Sequence, residues 1–343
     1  MDGCIKVELS DLLIDYNQKI SLGVTNSNVV KVRNCDIKNG NHAMVFDGCK
    51  NLDVIDCNAC ENENNTSFPN PLQANAIVSV SNCNNVLLDR VNVNNNVKAI
   101  PGQGTGPFAS LGPEVGVLLI LAGSNITLKG CQTNHNSTSA TMRALYILGT
   151  IGPIPSLNSV VIENHQSNNN TGDFSGNSGS LSGISITGGP GTKLVNCDTS
   201  YNVSSDQPPG EVFLTQGFTT GITALFSESI YITNHSANYN ISEGAETFGV
   251  VIGDASGGLV IENSTFNHNG SIDNGSITAG IDLSFGTTAT GSKGAIIRNC
   301  IASHNKANFL CAGLVSNWGS VLIQDCNFSY NESIGGKYTT TFK

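Results

Sequence analysis

Glu243 and Glu246, three positions apart, with Asp254 and Asp282 downstream, are the carboxylates whose grouping could do acid–base chemistry. Hydrolysing a glycosidic bond takes two carboxyl groups about 5–10 Å apart, one of them protonated to assist the leaving oxygen. Elimination from an acidic sugar takes a base and a cation beside the developing charge. If the chain acts on a polysaccharide, these four are the expected catalytic groups. The competing reading is that they only solvate a loop.

Histidine and tyrosine form a second constellation. Tyr201, Tyr239, His268, His304 and Tyr330 each sit immediately before an asparagine, at a spacing that recurs along the chain. On stacked repeats they should form one column of flat rings. Such a column reads as a structural ladder, or as a platform on which a sugar could stack. His268 and His304 on neighbouring repeats could instead hold a metal ion, but the structural ladder is the expectation and no metal or other cofactor is assigned.

The 11 cysteines are equally patterned. Cys35, Cys57, Cys131, Cys197, Cys300 and Cys326 share one repeat position, and His165 and His235 replace cysteine at that position in two other repeats. Soft, small side chains stacked inside a tube are a packing feature. Cys57 and Cys60 make a C-x-x-C, but no second pair follows at zinc-finger spacing. No G-x-S-x-G, G-x-x-x-x-G-K-[ST] or H-E-x-x-H occurs. Met1 to Ser10 lacks the apolar stretch of a secretory leader. Many free thiols then point to folding in a reducing compartment, the cytoplasm, with later incorporation into a particle or surface assembly as an open alternative.

The elements that position these residues come from a repeat. Val30 to Cys35, Ile126 to Cys131, Thr192 to Cys197, Ile230 to His235, Leu259 to Ser264 and Ala295 to Cys300 fit one frame, which recurs ten times at a mean of about 32 residues. Five residues after each reference position stands an asparagine: Asn62, Asn96, Asn136, Asn170, Asn202, Asn240, Asn269, Asn305 and Asn331, with Gly40 in the first copy. Upstream lies a third short run led by a small residue, as in Gly116-Val117-Leu118-Leu119, Gly183-Ile184-Ser185-Ile186 and Gly280-Ile281-Asp282-Leu283. Three short alternating strands per repeat, with Gly or Asn corners and no helical periodicity, predict an all-β, single-stranded parallel β-helix of about ten coils. One domain is expected over 1–343: an irregular first coil over 1–27, repeats over 28–331, and a C-terminal strand or tail over 332–343. Corner asparagines tolerate left-handed geometry and can hydrogen-bond up a stack.

Asparagine, at 44 residues, outnumbers Lys, Arg, Asp and Glu together. The net charge of −10 argues against a nucleic-acid partner, and no apolar run approaches the ~20 residues of a membrane span. Aligned on the leading glycine, the outward positions of the third run read Val45, Val78, Leu118, Tyr146, Ser185, Thr223, Val251, Asp282 and Val315. An apolar strip of that length calls for a cover, either the chain's own loops or another chain.

The run I/V-x-N-C-x-x-x-x-N with its following glycine-led strand resembles the right-handed parallel β-helix repeat of the pectate-lyase-like superfold. Its Asn- and Cys-rich form, as in Lys129 to Asn136 or Val195 to Asn202, is similar to repeat proteins of amoeba-associated bacteria and large DNA viruses. The resemblance implies the fold. Enzymatic members imply an Asp cluster with an Arg or Lys base, or paired Asp residues near Gly-His-Gly, and neither set maps onto this chain. The expected function is therefore a structural or interaction protein, a rod associating with itself or with a partner subunit through an apolar face or its coil ends, as in a surface layer, fibre or virion component. The alternative is a glycan-binding or polysaccharide-degrading protein working at the loop edge.

Overall fold

The computed structural model describes residues 1–17, 19–63, 76–98, 115–139, 141–149, 157–174, 179–188, 191–205, 218–227, 229–243, 246–253, 258–271, 276–284, 294–335 and 338–340. Among these there is no helix. All strand pairings between coils are parallel, and the chain winds as a right-handed, single-stranded β-helix. One coil serves for all. Phe218–Leu225 forms the glycine-containing strand, Ile230–Thr233 the second, Ser236 a single bridge past the corner, and Ile241–Ser242 a short third strand after Asn240. The third strand thus follows the ladder asparagine, and the segment between the Cys/His position and that asparagine makes only isolated bridges. In two coils the first two strands fuse into continuous strands, Ala76–Asp89 and Val115–Lys129.

Register is exact from coil to coil because every second side chain must enter the tube, and a one-residue slip would turn it to solvent. Leu52, Val86, Ile126, Val160, Thr192, Ile230, Leu259 and Ala295 form one inward column. All eight are buried and most belong to the core cluster. Residues 1–27, expected to be irregular, continue this pattern. Lys6–Ser10 pairs with Val29–Arg33, placing Val7 beneath Val30, and Leu13–Asp15 pairs with Asp36–Lys38. Tyr338–Thr340 pairs with Leu310, Cys311 and Ala312 at the other end.

Two left-handed residues turn each corner flanking the cysteine column. Before it stand Asn164, Asn196, Asn234, Asn263 and Asn299, with φ between 51° and 55°. Before the ladder stand Tyr201, Tyr239, His268, His304 and Tyr330, with φ between 57° and 60°. Asparagine accepts this conformation readily, whereas a bulky residue pays about 1–2 kcal/mol. The ladder itself is continuous. Each asparagine from Asn62 to Asn305 donates both its backbone amide and its Nδ2 to the Oδ1 of the next coil's asparagine, at 2.8–3.2 Å.

A second ladder lies two residues upstream and runs the other way. The backbone amides of Asn134, Asn168 and Ser200 donate down to Oδ1 of Asn94, Asn134 and Asn168 at 2.7–2.8 Å. Asn238, Asn267 and Ser303 continue it through Ser200 Oγ, Asn238 Oδ1 and Asn267 Oδ1.

Candidate functional site

Three surfaces of this tube carry groups that could do chemistry. The first is the outer face of the glycine-containing strands. Gly183, Gly221, Gly249, Gly280 and Gly313 line up where an added Cβ would come within 2.9 Å of a neighbouring atom in every case, in most cases a side chain of the opposite wall. The wall is therefore drawn in at this level, and the residues on either side of each glycine project differently. Phe248, Val251 and Ala279, with Phe218, Ile277 and Val315, form an apolar cluster of their own, apart from the core that holds Val250, Ile252 and Ile281.

Glu246 and Asp282 belong to this outer face on neighbouring coils. Burial pushes the Glu246 carboxyl up to about 7, and the charge of Asp282 adds to the effect. Burial also raises Asp282, opposed by the Ser284 amide and hydroxyl, which donate to its Oδ1 at 2.6 and 2.5 Å. Near neutral pH Glu246 is therefore partly protonated where a solvated carboxylate would be fully ionised, so it can act as an acid. Glu243 is elsewhere: it is exposed, and its amide donates to the Ser204 carbonyl at the end of a third strand. Asp254 lies outside the described residues. The structure thus brings together two of the four expected carboxylates.

The register corrects the outward strip. Val78 and Leu118 stack on the inward residues Met44 and Leu145, and the outward members of those coils are Ser79 and Leu119. Gly116 pairs with Arg143 and Arg143 with Ser182, so Gly116 sits one position ahead of the glycine column that begins at Gly183. Most of the strip is buried within the single chain, Tyr146 at 8% exposure and Asp282 at 5% among the least enclosed of its buried members.

Sequence reasoning also missed Arg143 on this face. It is buried, its guanidinium lies 5.3 Å from the Tyr146 ring centroid, and Nη1 donates to Ser185 Oγ at 3.3 Å. Above it the hydroxyls of Ser182, Thr220 and Thr223 bond to one another at 2.8–3.1 Å. The signal was the outward register, in which Arg143 stands opposite Ser182.

The second surface is the ring column. Tyr201, Tyr239, His268, His304 and Tyr330 stack with centroids 4.7–5.1 Å apart and ring planes within 20° of parallel. This spacing is that of neighbouring strands, so each inner ring has both faces against other rings. A sugar would need a free face, which only the ends of the column offer. The His268 and His304 planes differ by 19°, so their in-plane lone pairs run side by side instead of converging on one ion. Among the described residues no group of three His, Cys, Asp or Glu side chains is placed to hold a metal.

Within the tube, His165 and His235 occupy the cysteine column. Their Nε2 atoms bond Thr133 and Thr199 hydroxyls at 3.1 and 2.9 Å, while both Nδ1 atoms are buried without a hydrogen-bond partner. Burial depresses both to about 3, so both are neutral.

The third surface is the outer face of the second strands near the C-terminal end. Tyr231, Val260, Ile296 and Leu322 stand in one register column above Lys193. With the corner residues Gly191, Ser229, Gly258, Gly294 and Ser320 they line an open groove of about 490 Å³. Exposure rises along the column to 37% at Ile296 and 50% at Leu322, and Ile323, which continues an inward column, is 40% exposed. A polar border runs beside it: Arg298 pairs with Glu262, which accepts the Tyr231 hydroxyl at 3.3 Å.

No known family pattern matches the sequence, and no curated protein matches it. Among solved structures, similarity extends to the A-module of mannuronan C-5 epimerase AlgE6 from Azotobacter vinelandii, with 9% identity over 98% of this chain and 80% of that one, at a TM-score of 0.41. The catalytic unit of a GH87 α-1,3-glucanase from Streptomyces thermodiastaticus matches at 10% identity over 92% of this chain and 63% of that one, TM-score 0.21. QnrB1, a plasmid-mediated fluoroquinolone resistance protein, matches at 12% identity over 88% and 83%, TM-score 0.14. At these scores none of the three locates a site on this chain.

Proposed function

We propose that the protein is a structural or interaction rod that associates through the exposed apolar column of its second strands. The observation that carries this reading is the run Tyr231, Val260, Ile296 and Leu322, ending beside Ile323 in a strand, Val321–Gln324, that pairs only with Ala295–Arg298 among the described residues. Such a strand keeps one row of backbone donors and acceptors open, and apolar side chains beside it favour association. A second pocket of about 400 Å³, lined by Leu310, Leu314, Val315, Ser316, Trp318, Val321 and Ile323, adjoins it. Covering Leu322 and Ile323 would contribute about 25 cal/mol for each Å² of apolar surface removed from water. Sedimentation velocity over a wide concentration range tests this: the chain should associate, and Leu322→Lys or Ile323→Lys should return it to monomer. A monodisperse monomer at every concentration would overturn the reading.

A polysaccharide-directed activity is the second reading, supported by half-buried Glu246 and buried Asp282 sharing one outer face with raised carboxyls. It requires turnover, as reducing ends or unsaturated products, that is lost in both Glu246→Gln and Asp282→Asn.

A further inference from the structure

We propose that Cys300 and Cys326 form an oxidation-sensitive pair that closes into a disulfide and staples the last second-strand coil to the coil beneath it. The two residues occupy the inward cysteine column on adjacent coils, immediately after strands Ala295–Arg298 and Val321–Gln324, which pair in register, and the Asn327 amide donates to the Cys300 carbonyl at 2.9 Å. In-register parallel neighbours have Cα atoms about 4.8 Å apart, inside the 4.4–6.8 Å range that a disulfide spans. Their thiols hang alike: Sγ of Cys300 donates to the carbonyls of Ile261 and Arg298, and Sγ of Cys326 to those of Ile297 and Gln324, at 3.2–3.6 Å.

Stacked thiols recur in Cys35 with Cys57 and in Cys49 with Cys83, and those pairs are buried in coils held from both sides. A disulfide brings its Cβ atoms to about 3.8 Å, closer than the coil spacing of about 4.8 Å, so the two coils must approach locally by up to about 1 Å. Only the Cys300–Cys326 pair combines access with that freedom. Cys326 is half-buried, and the strand leading into it is paired on one side among the described residues.

The step balances with a low-molecular-weight disulfide such as glutathione disulfide as oxidant. The Cys326 thiolate attacks one sulfur of the oxidant, forming a mixed disulfide and releasing one glutathione thiolate. The Cys300 thiol then loses its proton and attacks the Cys326 sulfur, releasing the second. The protein dithiol gives up two electrons and two protons, and the oxidant becomes two thiols. Burial, with the neighbouring Cys326 thiol adding to it, pushes Cys300 up to about 12. Closure should therefore be slow at neutral pH and speed up about tenfold per pH unit.

The test incubates the purified chain with glutathione disulfide, alkylates free thiols and maps tryptic peptides without reduction. Residues 299–306 and 307–337 fall in separate fragments, so the bridge appears as a linked pair about 2 Da lighter than the two free peptides. The link should persist in Cys311→Ser, which removes the other cysteine of the second fragment, vanish in Cys326→Ser and in Cys300→Ser, and reverse with a reductant. Cys326 remaining as the glutathione adduct, or linked to a cysteine other than Cys300, would overturn the proposal, as would full alkylation of both thiols at pH 8 and above.

Discussion

Asn202 donates from Nδ2 to Oδ1 of Asn240 at 3.0 Å, and the same oxygen accepts the Asn202 backbone amide at 3.1 Å. One amide group thus satisfies a side chain and a main-chain donor of the coil beneath it. The remaining capacity of the Asn202 Nδ2 is taken by the carbonyls of Ser167 and Thr199. All of this happens at a fully buried position. The asparagines therefore carry the backbone hydrogen bonds of a corner that no regular strand serves.

Replacing Asn202 by Ala should accordingly destabilise the fold by roughly 3–5 kcal/mol, because it strands the Asn170 amide and Nδ2 and the carbonyls it served, each worth about 1–3 kcal/mol when buried unpaired. Asn331→Ala strands the equivalent set, the Asn305 amide and Nδ2 with the Ala302 and Phe328 carbonyls, and should cost about as much. Urea denaturation followed by circular dichroism measures both. A loss below about 1 kcal/mol for Asn202→Ala would mean that water or a shifted coil replaces the rung.

The glycine column makes a sharper steric prediction. A Cβ on Gly221 would stand 2.5 Å from Ala237 Cβ, 2.6 Å from the Gly249 carbonyl oxygen and 2.6 Å from Thr199 Oγ1. Two of these neighbours are backbone or a Cβ and cannot swing aside, so Gly221→Ala should cost about 3 kcal/mol or more. Gly319→Ala meets nothing within 4 Å and should be neutral. Equal melting temperatures for the two variants would show that the wall is not drawn in at Gly221.

Much of this was legible beforehand, for a physical reason. The inward Val/Ile/Leu columns and the ladder asparagines are dictated by interior volume and corner hydrogen bonds, and those demands recur unchanged in each coil. So does the ring column, since its members precede the ladder residue. The second, opposed ladder was hidden because serine replaces asparagine in it: the Ser200 hydroxyl accepts the Asn238 amide as an amide oxygen would, and Ser303 joins through its own amide and hydroxyl, both donating to Asn267 Oδ1. The coil over 1–27 was hidden because it has no ladder asparagine to mark it, though Lys6–Ser10 alternates correctly. The outer face was misread in two coils because their leading small residues, Ala76 and Gly116, sit one residue early, and side-chain direction depends on that single position. Pairing of Glu246 with Asp282 across coils needed the register itself.

The ring column lends itself to separating packing from backbone strain. Tyr239 lies between Tyr201 and His268, with φ of 57°. Tyr239→Ala loses two ring contacts yet keeps a side chain in the left-handed region. Tyr239→Gly loses the same contacts but relieves the backbone by about 1 kcal/mol. Glycine should therefore be the more stable of the two variants by about that amount, in thermal melts at equal concentration. An alanine variant at least as stable as the glycine one would place the cost in the rings alone.

His165 and His235 set the acid limb of stability. Both are depressed to about 3 by burial, from 6.5. A histidine whose folded value lies below its unfolded one binds protons only in the unfolded chain over that interval. Stability is then fully present above about 6.5 and falls as pH drops toward 3, by about 1.4 kcal/mol per pH unit for each histidine. Glu246 acts oppositely. Its carboxyl is raised to about 7, so its stabilising share is complete below 4.5 and is lost as pH climbs through 7. Cysteine fills the same column in neighbouring coils, so His165→Cys with His235→Cys should keep the packing and flatten the acid limb, while Glu246→Gln should flatten the slope between 4.5 and 7. Chemical denaturation at half-unit pH steps from 4 to 8 reads both. If the double histidine variant lost stability between pH 6.5 and 4 as steeply as the parent chain, protons would have to be entering elsewhere, and the two imidazoles would not be the buried neutral groups that their Thr133 and Thr199 hydrogen bonds imply.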